Sequence, residues 1–78
     1  MLEDVRAKGW AAEREEAIIG EASIASPVFD RAGAAAGAIG IVGPVERLYA
    51  RRQPRPALIG HVREAARAIS RELGAGPW

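Results

Sequence analysis

Apolar and polar positions alternate along Ser23–Phe29: Ile24, Ser26 and Val28 fall on one side, and Ser23, Ala25, Pro27 and Phe29 on the other. A period of two is the signature of a β-strand with one buried face. Asp30-Arg31-Ala32-Gly33 then reads as a tight connection, because Asp suits the first position of a type I turn and Gly the last. A second strand follows, strongest at Ile39, Ile41 and Val42 and weakest at its opening alanines and glycines. Together these predict a β-hairpin over Ala22 to Val42. Its second strand has unequal faces. Ala35, Gly37, Ile39, Ile41 and Gly43 share one, suited to packing under a helix, whereas Ala36, Ala38, Gly40 and Val42 share the other, which is nearly bare.

Near the C-terminus the period changes. Leu58, Val62, Ala65, Ala66, Ile69 and Leu73 recur at steps of three and four, while Arg63, Glu64, Arg67, Ser70 and Arg71 fall elsewhere, which predicts an amphipathic helix ended by Gly74. Leu2 to Lys8 reads as the last turns of another helix with Gly9 as its cap, and Trp10 to Glu13 as a short strand. Glu15 to Gly20 forms a connection with a bend at Gly20. Pro44 stops the sheet and begins a short helix through Leu48 and Tyr49. Arg51-Arg52-Gln53-Pro54-Arg55-Pro56, with two prolines close together, reads as a connection. The expected fold class is α+β: an antiparallel sheet of a hairpin plus a short strand, packed by a C-terminal α-helix.

Composition adds a constraint on stability. A chain of 78 residues hides only about 60% of the surface it exposes when unfolded. Much of its apolar content is alanine, which buries little area, so stability is expected to lean on a few large groups and on association with other surfaces. An oligomer, or the missing half of a larger domain, is the expectation. The absence of cysteine excludes disulfides, thiolate catalysis and cysteine-held metals. No apolar run approaches the length of a membrane span, and the acidic Leu2-Glu3-Asp4 does not resemble a secretory signal, so a soluble cytoplasmic chain is expected without membrane contact. A net charge of +1 argues against strong nonspecific attraction to nucleic acid, although Arg47, Arg51, Arg52, Arg55, Arg63, Arg67 and Arg71 all follow Gly43.

The order of short motifs carries a resemblance. Val5-Arg6-Ala7-Lys8-Gly9-Trp10 is followed by the acidic Glu13-Arg14-Glu15-Glu16, Gly20, Ile24-Ala25-Ser26-Pro27-Val28-Phe29-Asp30 and Gly33. Next come Ala38-Ile39-Gly40-Ile41-Val42-Gly43-Pro44, Arg47-Leu48, and a terminal helix rich in alanine and arginine. Over nearly the whole chain this succession resembles the C-terminal part of the GAF-like effector-binding domain of IclR-type transcriptional regulators. The resemblance implies that residues 1–78 are the C-terminal portion of such a domain, with no DNA-binding domain present. It also implies a small organic acid or related effector, held by an acidic residue before the hairpin and by polar groups on its strands. Those roles fall on Glu13, Ser23, Gly40 and Val42, with Ala25 on the same strand face as Ser23.

Ser23 offers a hydroxyl to a carboxylate. Gly40 and Val42 depart from the family members that bind small keto acids, which resemble one another in carrying serine at both places. A larger or more apolar effector is therefore expected, such as an aromatic acid or a lactone-like signal. The bare face of the second hairpin strand is either the floor of that site or a surface covered by another layer of protein.

The remaining candidates read as structural. Glu13, Glu15 and Glu16 lack a histidine or aspartate at ligand spacing and read as a solvated loop. His61 has no nucleophile beside it and reads as a surface or capping residue. Arg51, Arg52 and Arg55 read as a solvated linker, and Arg63, Arg67 and Arg71 as an exposed stripe. Trp10 is expected in the core and Trp78 at a frayed end. No enzyme activity, cofactor or metal is expected. The implied function is ligand sensing and oligomerisation, as a homodimer or homotetramer, with DNA reached only through a winged helix-turn-helix domain absent from this chain. The alternative is a self-standing homodimeric α/β scaffold without a ligand.

Overall fold

The computed structural model describes residues 9–15 and 18–75. The helix expected over Leu2 to Lys8, Glu16 and Trp78 lie outside the described residues. Three strands form an antiparallel sheet in the order β1, β2, β3: β1 is Ala11–Arg14, β2 is Glu21–Phe29 and β3 is Ala35–Pro44. A short helix α1 (Val45–Leu48), a two-strand ribbon of β4 (Tyr49–Ala50) and β5 (Gln53–Pro54), and the long helix α2 (Pro56–Glu72) complete the fold. The α+β architecture is the expected one.

Along β2 every second residue is buried: Ala22, Ile24, Ser26 and Val28. This alternation follows from the pleat, which sends successive side chains to opposite faces. The buried face packs under α2, and the core gathers Ala22, Ile24, Leu48 and Val62, flanked by Ala12, Ile41, Val45, Tyr49, Leu58 and Ile59. Pro27 is admissible in this middle strand because the ladder with β1 ends at the pair Ala11–Ala25, short of the proline. Ser26 is buried and donates its hydroxyl to the Gly9 carbonyl at 2.6 Å, which ties the approach to β1 onto β2.

The hairpin turn has the expected chemistry. The Gly33 amide donates to the Asp30 carbonyl at 3.0 Å, and the Asp30 carboxylate accepts from the Ala32 and Ala34 amides at 2.9 and 3.0 Å. Gly33 has a φ of +82°, so the turn closes through a left-handed residue, the usual end of a three-residue hairpin loop. At the other end of the fold, Gly74 has a φ of +88°, its amide donates to the Arg71 carbonyl and that of Ala75 to the Ser70 carbonyl. These two bonds make a Schellman cap, so α2 stops where its glycine permits.

Three expectations need correction. The stripe that α2 buries is centred on Val62, Ala66 and Ser70, whereas Ile69 and Leu73 are 38% and 46% exposed. Ser70 is buried because its hydroxyl is satisfied twice: it donates to the Ala66 carbonyl at 2.8 Å and accepts from the Phe29 amide at 2.9 Å. The second bond lies at the irregularity between Val28 and Phe29, so the helix closes a break in the ladder. Of the arginine stripe, Arg71 is exposed, while Arg63 and Arg67 are half-buried and Arg67 lies 3.4 Å from the Glu64 carboxylate.

The third correction concerns the arginine-rich connection. It contains a two-residue hairpin: Tyr49 pairs with Pro54 and Ala50 with Gln53, and Arg51 and Arg52 turn between them with φ of +52° and +66°. Tyr49 accordingly belongs to this ribbon and not to α1. Positive φ at both central residues marks a type I′ turn, whose preferred pair is Asn-Gly. Each left-handed arginine costs roughly 1–2 kcal/mol. The double substitution R51N/R52G is expected to raise stability by about 1 kcal/mol, a rise of about 4–8 °C in Tm for a domain of this size. A melt followed by circular dichroism reads it, and an unchanged or lower Tm would show that the arginine side chains offset the strain.

Candidate functional site

Strand register decides which candidate residues meet. In an antiparallel pair, residues directly opposite one another share a face. Glu13 is opposite Ser23, and Ser23 is opposite Val42, which forms one row across all three strands. Ala11, Ala25 and Gly40 form the next row, and Pro27 and Ala38 the one after. All five candidate residues, Glu13, Ser23, Ala25, Gly40 and Val42, therefore lie together on the sheet face turned away from α2. Strand spacing makes each row about 10 Å across.

The face is shallow and mostly apolar. Val42 is 70% exposed, and Ala11, Ala25, Pro27, Ala38 and Gly40 give the neighbouring rows short side chains. Glu13, Ser23 and Glu21 supply the polar groups at one end. No arginine or lysine of β1, β2 or β3 joins them, since Arg14 is opposite Ala22 and shares the helix side. Gly40 has a structural reason to lack a side chain: a Cβ there would lie 2.7 Å from the Ile24 carbonyl oxygen and 3.0 Å from the Ala25 Cβ. Pro27 joins the face by the alternation of β2, and Ala11 joins it through the pairing of β1, whose four residues show too little alternation to fix their own register.

A cleft lies on the opposite side of the sheet. It runs between β3 and α2 with a volume of about 230 Å³, lined by Ile39, Gly40, Ile41, Leu58, Val62 and Ala65, with His61 as the polar group at its wall. Ile39 and Ile41 were expected to pack under the helix, and they do so only in part: both are half-buried. The cause is the rotation of α2, which centres its buried line over β2 and leaves the β3 flank partly open. His61 itself is exposed, as expected of a surface residue. Among the described residues there is no group of three or more histidine, aspartate or glutamate side chains placed to hold a metal.

The model of the family described as "Bacterial transcriptional regulator IclR C-terminal" matches residues 1–71. The chain belongs to the IclR family. Among curated IclR-type relatives, the glycerol operon regulatory protein of Streptomyces coelicolor is 51% identical over 76 residues, which is 97% of this chain and 30% of that protein. The transcriptional repressor AllR of Salmonella paratyphi A is 38% identical over 97% of this chain and 27% of its own length. Among solved structures, Pseudomonas aeruginosa HmgR superposes with a TM-score of 0.84 at 30% identity, covering 99% of this chain and 31% of that one. The C-terminal domain of the Escherichia coli regulator KdgR gives 0.78 at 34% identity over 94% of this chain and 43% of that domain. The chain thus spans about 30% of the length of the glycerol operon regulatory proteins it matches. These relatives are named as transcriptional regulators, and the fold is that of IclR C-terminal domains.

Proposed function

We propose that this chain is the effector-sensing and self-associating portion of an IclR-type transcriptional regulator, and that the open face of β1, β2 and β3 is its effector site. Small side chains at Ala11, Ala25, Ala38 and Gly40 leave room above the sheet, and an apolar floor with a few polar groups at its end suits a small ligand. DNA would be reached through a domain outside these residues, in the cytoplasm. The observation that carries the reading is the register, which gathers Glu13, Ser23, Ala25, Gly40 and Val42 from three strands onto one face.

The charge on that face narrows the effector class. Glu13 and Glu21 stand at one end of that face, while Ala11, Ala25, Ala38 and Gly40 leave most of it apolar, so a small, highly charged acid would gain little there. A neutral ligand with an apolar body suits it better. Ser23 would donate to a ring oxygen and Glu13 would accept from a hydroxyl, which favours a lactone-like compound over an aromatic acid. A polyol is the second reading. It is favoured by the relative named as a glycerol operon regulator and by the same acceptor at Glu13.

A thermal-shift panel on the chain tests this with a hydroxylated lactone, glycerol, benzoate and a three-carbon keto acid. The lactone is expected to raise Tm most, and Glu13→Gln to weaken it about tenfold or more, because a hydrogen bond to a charged group is lost. Best stabilisation by the keto acid would overturn the reading.

A further inference from the structure

Glu15 belongs to the acidic run that reads as a solvated loop, yet its carboxylate is engaged. Oε2 accepts from the Gly20 amide at 2.9 Å, and Oε1 lies 3.6 Å from the Arg14 guanidinium. The backbone of Glu15 is committed as well. Its amide donates to the Glu21 carbonyl at 2.7 Å, and its φ of +57° lies in the left-handed region, where glutamate is uncommon. The connection from β1 to β2 is therefore closed by a side chain that reaches across it. Gly20 is held on its other side too, since its carbonyl accepts from the Val45 amide at 2.9 Å.

The bonding parity of β2 ties Glu13 to that closure. Glu21 turns its carbonyl toward β1, through the Glu15 amide, whereas Gly20 turns its carbonyl toward the β3 side, through the Val45 amide. Residues along an antiparallel ladder alternate between bonded and non-bonded pairs, so Ser23 and Ala25, like Glu21, bond toward β1. With Glu13 opposite Ser23 and Ala11 opposite Ala25, β1 is stitched to β2 at Ala11, Glu13 and Glu15. Two anchors bracket these stitches. Before β1 the Ser26 hydroxyl donates to the Gly9 carbonyl at 2.6 Å, and after it the Glu15 carboxylate holds the Gly20 amide. A strand of four residues has little ladder of its own to resist fraying. Glu13 is nearer the second anchor.

We infer that Glu15 is a positioning residue for Glu13: by holding the Gly20 amide, its carboxylate keeps Glu13 in the row with Ser23 and Val42. Both of its oxygens face protein partners, so it acts through Glu13. Its consequence for ligand binding rests on the effector face proposed above, whereas the placement of Glu13 does not.

Amide hydrogen exchange followed by NMR on the ligand-free chain tests the placement. Glu15→Ala keeps the left-handed backbone and removes the carboxylate. It is expected to speed exchange of the Glu13 amide about tenfold, while the Ala11 amide near the Ser26 anchor, and the Ala22 and Ile24 amides that bond toward β3, change by no more than about twofold. Glu15→Gln keeps an acceptor oxygen at the same reach and is expected to stay within about threefold of the parent at Glu13. Unchanged Glu13 exchange in E15A, a uniform rise at all of these amides, or E15Q as fast as E15A would each overturn the inference. The uniform rise would mark a general loss of stability instead of a freed strand end. With the hydroxylated lactone as probe, affinity is expected to fall about fivefold in E15A and no further when E15A is added to E13A, because nothing is then left to position. An additive loss in E13A/E15A would show Glu15 acting on the ligand directly and would overturn the positioning role. A lactone that fails to raise the parent's Tm overturns the effector reading, and the exchange pattern still decides whether Glu15 holds Glu13 in its row.

Discussion

Ile24→Ala is expected to remove about 2–5 kcal/mol of stability, a large share of the whole, and to lower the urea midpoint sharply. Ile24 is fully buried at the middle of β2, the strand that touches β1, β3 and α2, and it belongs to the core with Ala22, Leu48 and Val62. Truncating a buried isoleucine costs about 2–5 kcal/mol, from lost transfer free energy and from the cavity left behind. Typical stabilities of about 0.05–0.15 kcal/mol per residue give a domain of this size only roughly 4–12 kcal/mol in all. Urea unfolding followed by circular dichroism reads the effect. The control is Ile19→Ala: Ile19 is 89% exposed, and its truncation is expected to change stability by no more than about 0.5 kcal/mol. Equal midpoints for the two variants would show that β2 is not the centre of the core.

Elements whose cause is local were legible from residue order. The turn at Asp30 and Gly33 and the cap at Gly74 are set by a carboxylate that bonds nearby amides and by glycines that accept positive φ, and both are visible in a few adjacent letters. The grouping of Ser23 with Ala25 and of Gly40 with Val42 was legible too, because a pleat sorts residues by parity alone. What joined the two groups to Glu13 was strand register, which depends on partners distant in sequence. The family resemblance carried that information where alternation did not.

The misread positions share a physical reason. Periodicity finds the stripe of a helix but not its rotation against the sheet, and Ser70 was assigned to the polar side because hydroxyls usually seek water. Its burial depends on the Phe29 amide, 41 positions away in sequence, and on a ladder irregularity that no local pattern announces. Once Ser70 turns inward, Ile69 and Leu73 must move toward solvent, and the β3 flank of the helix is left partly open. Arg51 and Arg52 were misread for another reason. Arginine carries no signal for positive φ, so a turn enforced by the flanking pairs Tyr49 with Pro54 and Ala50 with Gln53 resembled a plain linker.

Gly40→Ser and Val42→Ser, introduced separately, are expected to behave in opposite ways although both residues lie on the same sheet face. At position 40 the new Cβ would sit 2.7 Å from the Ile24 carbonyl oxygen and 3.0 Å from the Ala25 Cβ. Backbone and a Cβ cannot swing aside as a long side chain can, so β2 and β3 must move apart around the most buried residue of the core. Overpacking of this kind costs about 1–3 kcal/mol, a Tm loss of roughly 4 °C or more. Val42 is 70% exposed, and serine there is expected to shift stability by no more than about 0.5 kcal/mol. If this face takes the effector as proposed, the serine pair that the family resemblance implies for small keto acids would not fit here without rearrangement, because the sheet admits serine at position 42 but crowds it at position 40. Thermal melts of the two single variants and of G40S/V42S, each with and without the three-carbon keto acid, read both halves of the argument. A G40S variant as stable as the parent would show that the approach of β2 to β3 relaxes freely, and keto acid stabilisation of the double variant would show that the face was closed to that ligand by its side chains alone.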